Sequence, residues 1–250
     1  MRRVAVLLVV GLAMAVVVAG IVWPPLFHPI KLYLFGRASV SQRVKEYGEG
    51  ARARLAPFFA EARMAYPPAR FSLVGLKDEK RLDLYAADET GPYAYVRSYP
   101  ILAASGRLGP KLREGDRQVP EGIYRIESLN PNSRYHLALR LDYPNERDRA
   151  RAAEDGRPDL GSDIMIHGRN ASIGCLAMGD EAAEELFVLA ADAGWSNAEV
   201  VLSPVDLRSR AAPAELTSLT RWTGSLYEEM GATLGKYPSA ESLKLEPFVH

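Results

Sequence analysis

The sequence predicts a mainly β domain with α additions, set behind an apolar N-terminal helix and a helical spacer. Three observations predict it: an uncharged apolar run from Val4 to Trp23, an Arg- and Glu-rich helical stretch from about Ser39 to Met64, and a succession of short β-rich segments from Phe71 onward. At 250 residues the chain suits one sizeable domain plus appendages.

The apolar run follows Met1-Arg2-Arg3 and is twenty residues long, enough to span about 30 Å as a helix. Its exit, Val17-Val18-Ala19, is a poor cleavage site, so residues 1–23 are expected to remain as a transmembrane anchor. Arg2 and Arg3 would hold the N-terminus in the cytoplasm, with Trp23 at the far interface. The rest of the chain is then expected outside the cytoplasm.

Residues 24–69 read as a spacer. Pro24, Pro25 and Pro29 mark its start, Tyr66-Pro67-Pro68 its end, and Pro57 is expected to end or kink the helix between them. Apolar positions are sparse here, which suggests a helix lying on the main domain and not one of its core elements.

The main domain is expected over 70–205, with strands near 71–76, 81–86, 92–103, 122–128 and 134–143. In the clearest of them Tyr135, Leu137, Leu139, Leu141 and Tyr143 alternate with His136, Ala138, Arg140 and Asp142, giving one apolar and one polar face. The charged stretch 145–155, ended by Gly156 and Pro158, is a surface helix or loop. A further strand over 162–167 sets Ile164 and Ile166 on the face opposite His167. Ala183, Leu186, Phe187 and Ala190 predict a helix from Asp180 to Gly194. Val200 to Leu202 closes the domain, and 206–250 reads as a C-terminal tail.

Charge and cysteine content narrow the function. Lys plus Arg and Asp plus Glu each number 31, so no net field draws the chain to nucleic acid. One cysteine and scattered histidines make no closed zinc set, and no metal or cofactor is expected. Outside the cytoplasm an unpaired Cys175 is either inert through burial or reactive by design.

The segment 164–178, IMIHGRNASIGCLAM, bears on that choice. A strand ends in His167-Gly168, a polar loop follows, and Cys175 comes directly after Gly174. A thiol becomes a nucleophile by losing its proton to a neighbouring base, and a His across a short loop can reach it. Backbone amides at Gly174 and Cys175 are candidates for stabilising a tetrahedral oxyanion. The same spacing also fits a strand-loop-strand turn with a satisfied His and a buried Cys.

This segment resembles the active-site region of the L,D-transpeptidase family, with its YkuD-type catalytic domain. The family motif is His-Gly, a variable loop, then Ser-His-Gly-Cys-x-Arg; here His167-Gly168 matches the first part and Ser172-Ile173-Gly174-Cys175 the second. Ile173 replaces the motif's second His, and Ala177 stands where Arg is usual. Gly115-Asp116 and Val119-Pro120-Glu121-Gly122-Ile123-Tyr124 are similar to the upstream Thr-Pro-x-Gly-x-Phe signature. Gly109-Pro110-Lys111, Asn130-Pro131, Tyr135-His136-Leu137 and Tyr143-Pro144-Asn145 resemble the YafK-like branch of murein L,D-transpeptidase-related proteins.

The resemblance implies a β-sandwich-like domain in which Cys175 is the nucleophile and His167 its base; where the two share a loop-walled groove, a thiolate–imidazolium pair is expected to lower the thiol pKa. The Gly168 carbonyl would orient the imidazole, with Gly174 and Ser172 supporting the nucleophile's loop. It implies peptidoglycan stem peptides as substrate, cleaved after the third, L-centred end of diaminopimelate to give a thioester. Transfer to an amine makes a cross-link; transfer to water makes an amidase, and in the YafK-like branch this suggests release of a peptidoglycan-linked lipoprotein. A non-catalytic wall-binding module is the alternative that the changes at Ile173 and Ala177 leave open.

Around the implied groove, Tyr135 and His136 are candidate substrate contacts, with His136 equally readable as a surface strand residue. Among Arg97, Arg125, Arg140 and Arg169, the last is best placed to grip a peptide carboxylate.

Overall fold

The computed structural model describes residues 28, 29, 32–34, 36–239, 242 and 243. The anchor expected over 1–23 lies outside these residues; among the described ones no helix is long and apolar enough to cross a membrane. In chain order the elements are α1 (Val40–Glu61), β1 (Arg70–Leu76), β2 (Arg81–Ala87), β3 (Ala94–Pro100), β4 (Ala103–Ala104), β5 (Gly122–Ser133), β6 (His136–Leu141), α2 (Glu146–Glu154), β7 (Met165–His167), β8 (Leu176–Ala177), α3 (Asp180–Ala193), β9 (Glu199–Ser203), α4 (Ala214–Thr217) and α5 (Thr223–Leu234).

The fold is mainly β with helices, and its strands form one hydrogen-bonded sheet in the order β3-β2-β1-β9-β5-β6-β7-β8-β4. In place of two separate layers, the expected sandwich-like arrangement is one bent sheet: the long strand β5 belongs to both halves, pairing β9 through its first residues and β6 through its last. Register shifts at Ile126/Ser128 and Asn130/Ser133 bend it. The halves fold toward each other: a Cβ on Gly75 of β1 would sit 3.6 Å from Leu176 Cδ2 of β8, although these strands are far apart in the sheet order. One core therefore collects Leu73 and Leu84 from one half and Leu139, Ile166 and Leu176 from the other, all fully buried.

Helix α1 begins at a capping box, with the Ser39 hydroxyl receiving the Gln42 N–H and the Gln42 side chain receiving the Ser39 N–H. It runs through Pro57 to Glu61, so Pro57 does not end it. The turn carrying the proline is fixed by tertiary contacts: Leu55 and Phe59 enter the main core, and Arg52 and Arg54 pair with Asp192, Glu184 and Glu185 of α3. The spacer helix thus contributes to the core, contrary to its sparse apolar pattern. The C-terminal segment also packs as a layer: Trp222, Leu226, Tyr227, Met230 and Leu234 form a second cluster with Val74, Tyr85 and Val201 on the other face of the sheet.

The strand expected over 92–103 is split. Ala94–Pro100 pairs with β2, while Ala103–Ala104 leaves to pair with β8 at the opposite edge. That excursion brings residues 101–118 against the loop that carries Cys175.

Candidate active site

Strand β7 is flanked on one side by β6, antiparallel, and on the other by β8, parallel. Its last residue, His167, pairs with Ala138 and Ala177, and its carbonyl accepts the Met178 N–H at 2.8 Å. Ile166 of the same strand is fully buried, and the short strand holds the imidazole at the edge of the core, where His167 is 2% exposed.

The imidazole Nδ1 lies 2.6 Å from the Gly168 carbonyl oxygen. A carbonyl only accepts, so Nδ1 carries the hydrogen and Nε2 the free lone pair. Nε2 has no hydrogen-bond partner among the described residues, and the Tyr135 ring stacks on the imidazole with centroids 4.8 Å apart at 27°. Burial pushes the His167 pKa below its ordinary 6.5, with the Gly168 carbonyl opposing.

Gly168 is required by close approach. A Cβ there would lie 2.9 Å from the Tyr135 carbonyl oxygen, 2.9 Å from His136 Cβ and 2.6 Å from Asp180 Oδ1. Its N–H donates to Leu137 O, and the next residue, Arg169, is held by Asp180, which receives its N–H at 2.8 Å and faces its guanidinium at 3.4 Å.

On the parallel strand, one further step of the β7–β8 register sets Cys175 beside Met165, two positions from His167 on the same face. The half-buried thiol points along the start of β7, donating to Asp163 O at 3.5 Å and lying against the Met165 N–H. No hydrogen bond joins it to His167 among the described residues. Burial pushes the thiol pKa up from its ordinary value; the Met165 amide and Lys111 counter this and Asp163 adds to it. The expected lowering of the thiol pKa is therefore corrected: burial pushes the thiol up and the imidazole down, and both shifts work against a thiolate–imidazolium pair.

The loop before Cys175 is pinned by two hydroxyls. Ser172 Oγ receives the Cys175 N–H at 3.1 Å and donates to the Cys175 carbonyl at 2.5 Å. Ser105 Oγ receives the Gly174 N–H at 2.6 Å and donates to Arg117 O at 2.7 Å. Both candidate oxyanion amides are thus engaged by side-chain hydroxyls in this structure. Gly174 adopts φ 95°, a left-handed geometry that a glycine accommodates.

The two departures from the motif fall in contrasting places. Ile173 is 70% exposed at the loop's tip, whereas Ala177 is fully buried in β8 between His167 and Ala103. His136, at φ 73°, binds Glu184 Oε1 through Nε2 at 3.0 Å and meets the Tyr47 ring edge-on at 5.0 Å. It braces helices against the sheet. Arg97 is spent internally on Glu185 and lies over the Phe58 and Tyr99 rings. Arg140 pairs with Glu127 and with Asp163, whose carbonyl takes the thiol.

A depression of about 500 Å³ abuts the pinned loop, lined by Leu102, Ala104, Ser105 and Ser172 among others. It shares Gly106, Arg107 and Leu108 with a larger one of about 1100 Å³. Ser105, Asp163 and Asp180 all shape the site, and local sequence gave no signal for them, because each acts on a loop or residue distant in the chain or through its backbone.

Comparison with known proteins gives three likenesses. Residues 70–202 match the family described as YkuD, the L,D-transpeptidase catalytic domain. The YafK protein of Escherichia coli K12, whose name assigns it to the L,D-transpeptidases, is 43% identical over 114 residues, covering 44% of this chain and 43% of that protein. This chain thus spans less than half the length of the curated relative that it matches. Among solved structures, the helical cell shape determining protein Pgp2 of Campylobacter jejuni is 22% identical with a TM-score of 0.44, covering 54% of this chain and 48% of that one.

Proposed function

The chain belongs to the family of YkuD-type L,D-transpeptidase catalytic domains, and on that premise we propose that it is a peptidoglycan-modifying cysteine enzyme acting on diaminopimelate-containing stem peptides. The observation that carries the reading is the His167 ring, held through Nδ1 by the Gly168 carbonyl so that Nε2 keeps its lone pair, on the strand that pairs with the one Cys175 leads into.

In the proposed reaction the thiol leaves the Asp163 carbonyl by rotation about its side-chain bond and gives its proton to Nε2. Sulfur attacks the carbonyl carbon of the diaminopimelate L-centre. The tetrahedral intermediate collapses, the imidazolium protonates the departing amine, and a thioester remains on Cys175. An incoming amine or water, deprotonated by the same imidazole, then releases the acyl group. For the oxyanion to use the Gly174 or Cys175 amide, the Ser105 or Ser172 hydroxyl must yield its place.

Hydrolysis is favoured over cross-linking by one observation. The motif's polar second His and Arg are replaced by exposed Ile173 and buried Ala177, which offer no charge or hydrogen bond to an amine acceptor. Release of a peptidoglycan-linked lipoprotein fits that outcome, with residues 1–23 anchoring the enzyme in the inner membrane and the domain in the periplasm.

Incubation of the full-length protein with purified muropeptides, one of them lipoprotein-linked, tests the proposal by mass spectrometry. The expected result is product formation and a thioester adduct on Cys175, both lost in Cys175→Ala and nearly lost in His167→Ala. Wild-type protein that forms neither product nor adduct would leave the wall-binding alternative in its place.

A further inference from the structure

We infer that helix α1, which lies outside the segment matching the family, positions His167 through the tip of the β5–β6 hairpin, with Tyr135 as the positioning residue; this rests on the reading of His167 as the base.

The hairpin tip is latched at four points to α1 and to Ala38 just before its N-cap. Asn132 bonds the Ala38 backbone in both directions, receiving its N–H at 2.9 Å and donating to its carbonyl at 2.8 Å. Arg43 Nε donates to Pro131 O at 3.0 Å. Tyr47 packs edge-on against His136, and Glu184 of α3 joins His136 to Arg54 of α1, at 3.0 and 2.9 Å.

Between these latches stands Tyr135, whose ring stacks on His167 and whose carbonyl lies 2.9 Å from where a Cβ on Gly168 would sit. The Gly168 carbonyl in turn holds Nδ1 of the base. The hairpin tip therefore touches the imidazole on its face and also touches the residue that orients its edge. Within the tip the Asn132 N–H donates to Asn130 Oδ1 and the Tyr135 N–H to Ser133 Oγ, each at 3.0 Å. The β5–β6 ladder is irregular between Asn130 and Ser133, and His136 sits in a left-handed conformation unfavourable for a side chain with a Cβ. The segment from Ala38 into α1 ties this tip to the rest of the domain. Small displacements of a base cost rate steeply, up to about a hundredfold for 1 Å. A helix that binds neither thiol nor substrate can thereby govern turnover.

The test uses the full-length protein with Asn132→Ala, Tyr135→Ala, Tyr135→Phe and His167→Ala. Muropeptide turnover, the rate of Cys175 alkylation by iodoacetamide and the melting temperature are read for each. Expected are a kcat reduced by about tenfold with KM unchanged in Asn132→Ala and Tyr135→Ala, alkylation slowed in the direction of His167→Ala, and recovery of both rates in Tyr135→Phe, which keeps the stacked ring. If Asn132→Ala and Tyr135→Ala retain wild-type kcat and alkylation while His167→Ala loses them, the inference fails and the base assignment stands. A rise in KM alone would make Tyr135 a substrate contact and also overturn it. His167→Ala with wild-type rates would instead remove the base assignment, and the inference with it.

Discussion

The Ser172 hydroxyl and the Cys175 backbone form a closed pair: one oxygen accepts the Cys175 N–H at 3.1 Å and donates to the Cys175 carbonyl at 2.5 Å. It therefore sets where the nucleophile's backbone lies without touching sulfur. Ser172→Ala leaves an amide and a carbonyl in a half-buried loop without partners, at a cost of about 1–3 kcal/mol. The expected outcome is a lowered melting temperature and slower acylation of Cys175, measured together by thermal denaturation and adduct formation.

Gly168→Ala tests the packing behind the base. Its methyl group would meet the Tyr135 carbonyl at 2.9 Å, and backbone cannot swing aside as a side chain can. The strand end must shift, moving the carbonyl that holds His167 Nδ1. Turnover is expected to fall by more than about tenfold, and by more than in Arg169→Ala, which alters the neighbouring residue without crowding it.

The pH dependence follows from the two depolarised groups. His167 is active when neutral, and burial lowers its pKa below 6.5, so the acid limb of kcat/KM is expected below pH 6.5. Burial raises the thiol, so alkylation of Cys175 without substrate should rise only at pH values above those of a free thiol, about 8.5. A titration of iodoacetamide reactivity with a midpoint under 7 would show that a preformed ion pair operates after all.

Asp148 gives a stability test away from the site. Burial raises its carboxyl to about 6, against the Asn145 N–H, which favours the charged form. The folded state thus holds a proton that the unfolded chain releases near 3.8. Its contribution is full below that value and is lost as pH rises through about 6. Asp148→Asn can still accept the Asn145 N–H, so wild type should lose on the order of 1–2 kcal/mol relative to it between pH 4 and pH 7, read from urea denaturation at both values.

How much of this was legible before folding differs from element to element. Alternation through Leu137, Leu139 and Leu141 located β6, and the spacing from Ala183 to Ala190 located α3, because each pattern reports one buried face of a regular element. The strand 92–103 was misread as continuous, since a departure to another sheet edge after Pro100 leaves no mark in local composition. Pro57 does not end α1 for a similar reason: the lost hydrogen bond is local, but the packing of Phe59 and the pairing of Arg54 come from α3 and the core.

At the site, the sequence by itself determined which chemical groups were available: a single Cys175, a His167-Gly168 strand end and a Ser172 three residues before the thiol. Only the tertiary structure decided their states. Burial of both the imidazole and the thiol works against the expected ion pair, because removing water disfavours charge more than the nearby dipoles restore it. Ser105, 69 residues from Gly174, closed an amide that local reading left open, and α1 reached the base through Asn132 and Tyr135. Such contacts depend on where the sheet curls and which hairpin meets which helix. That is set by the packing of the whole core and not by any segment's own pattern.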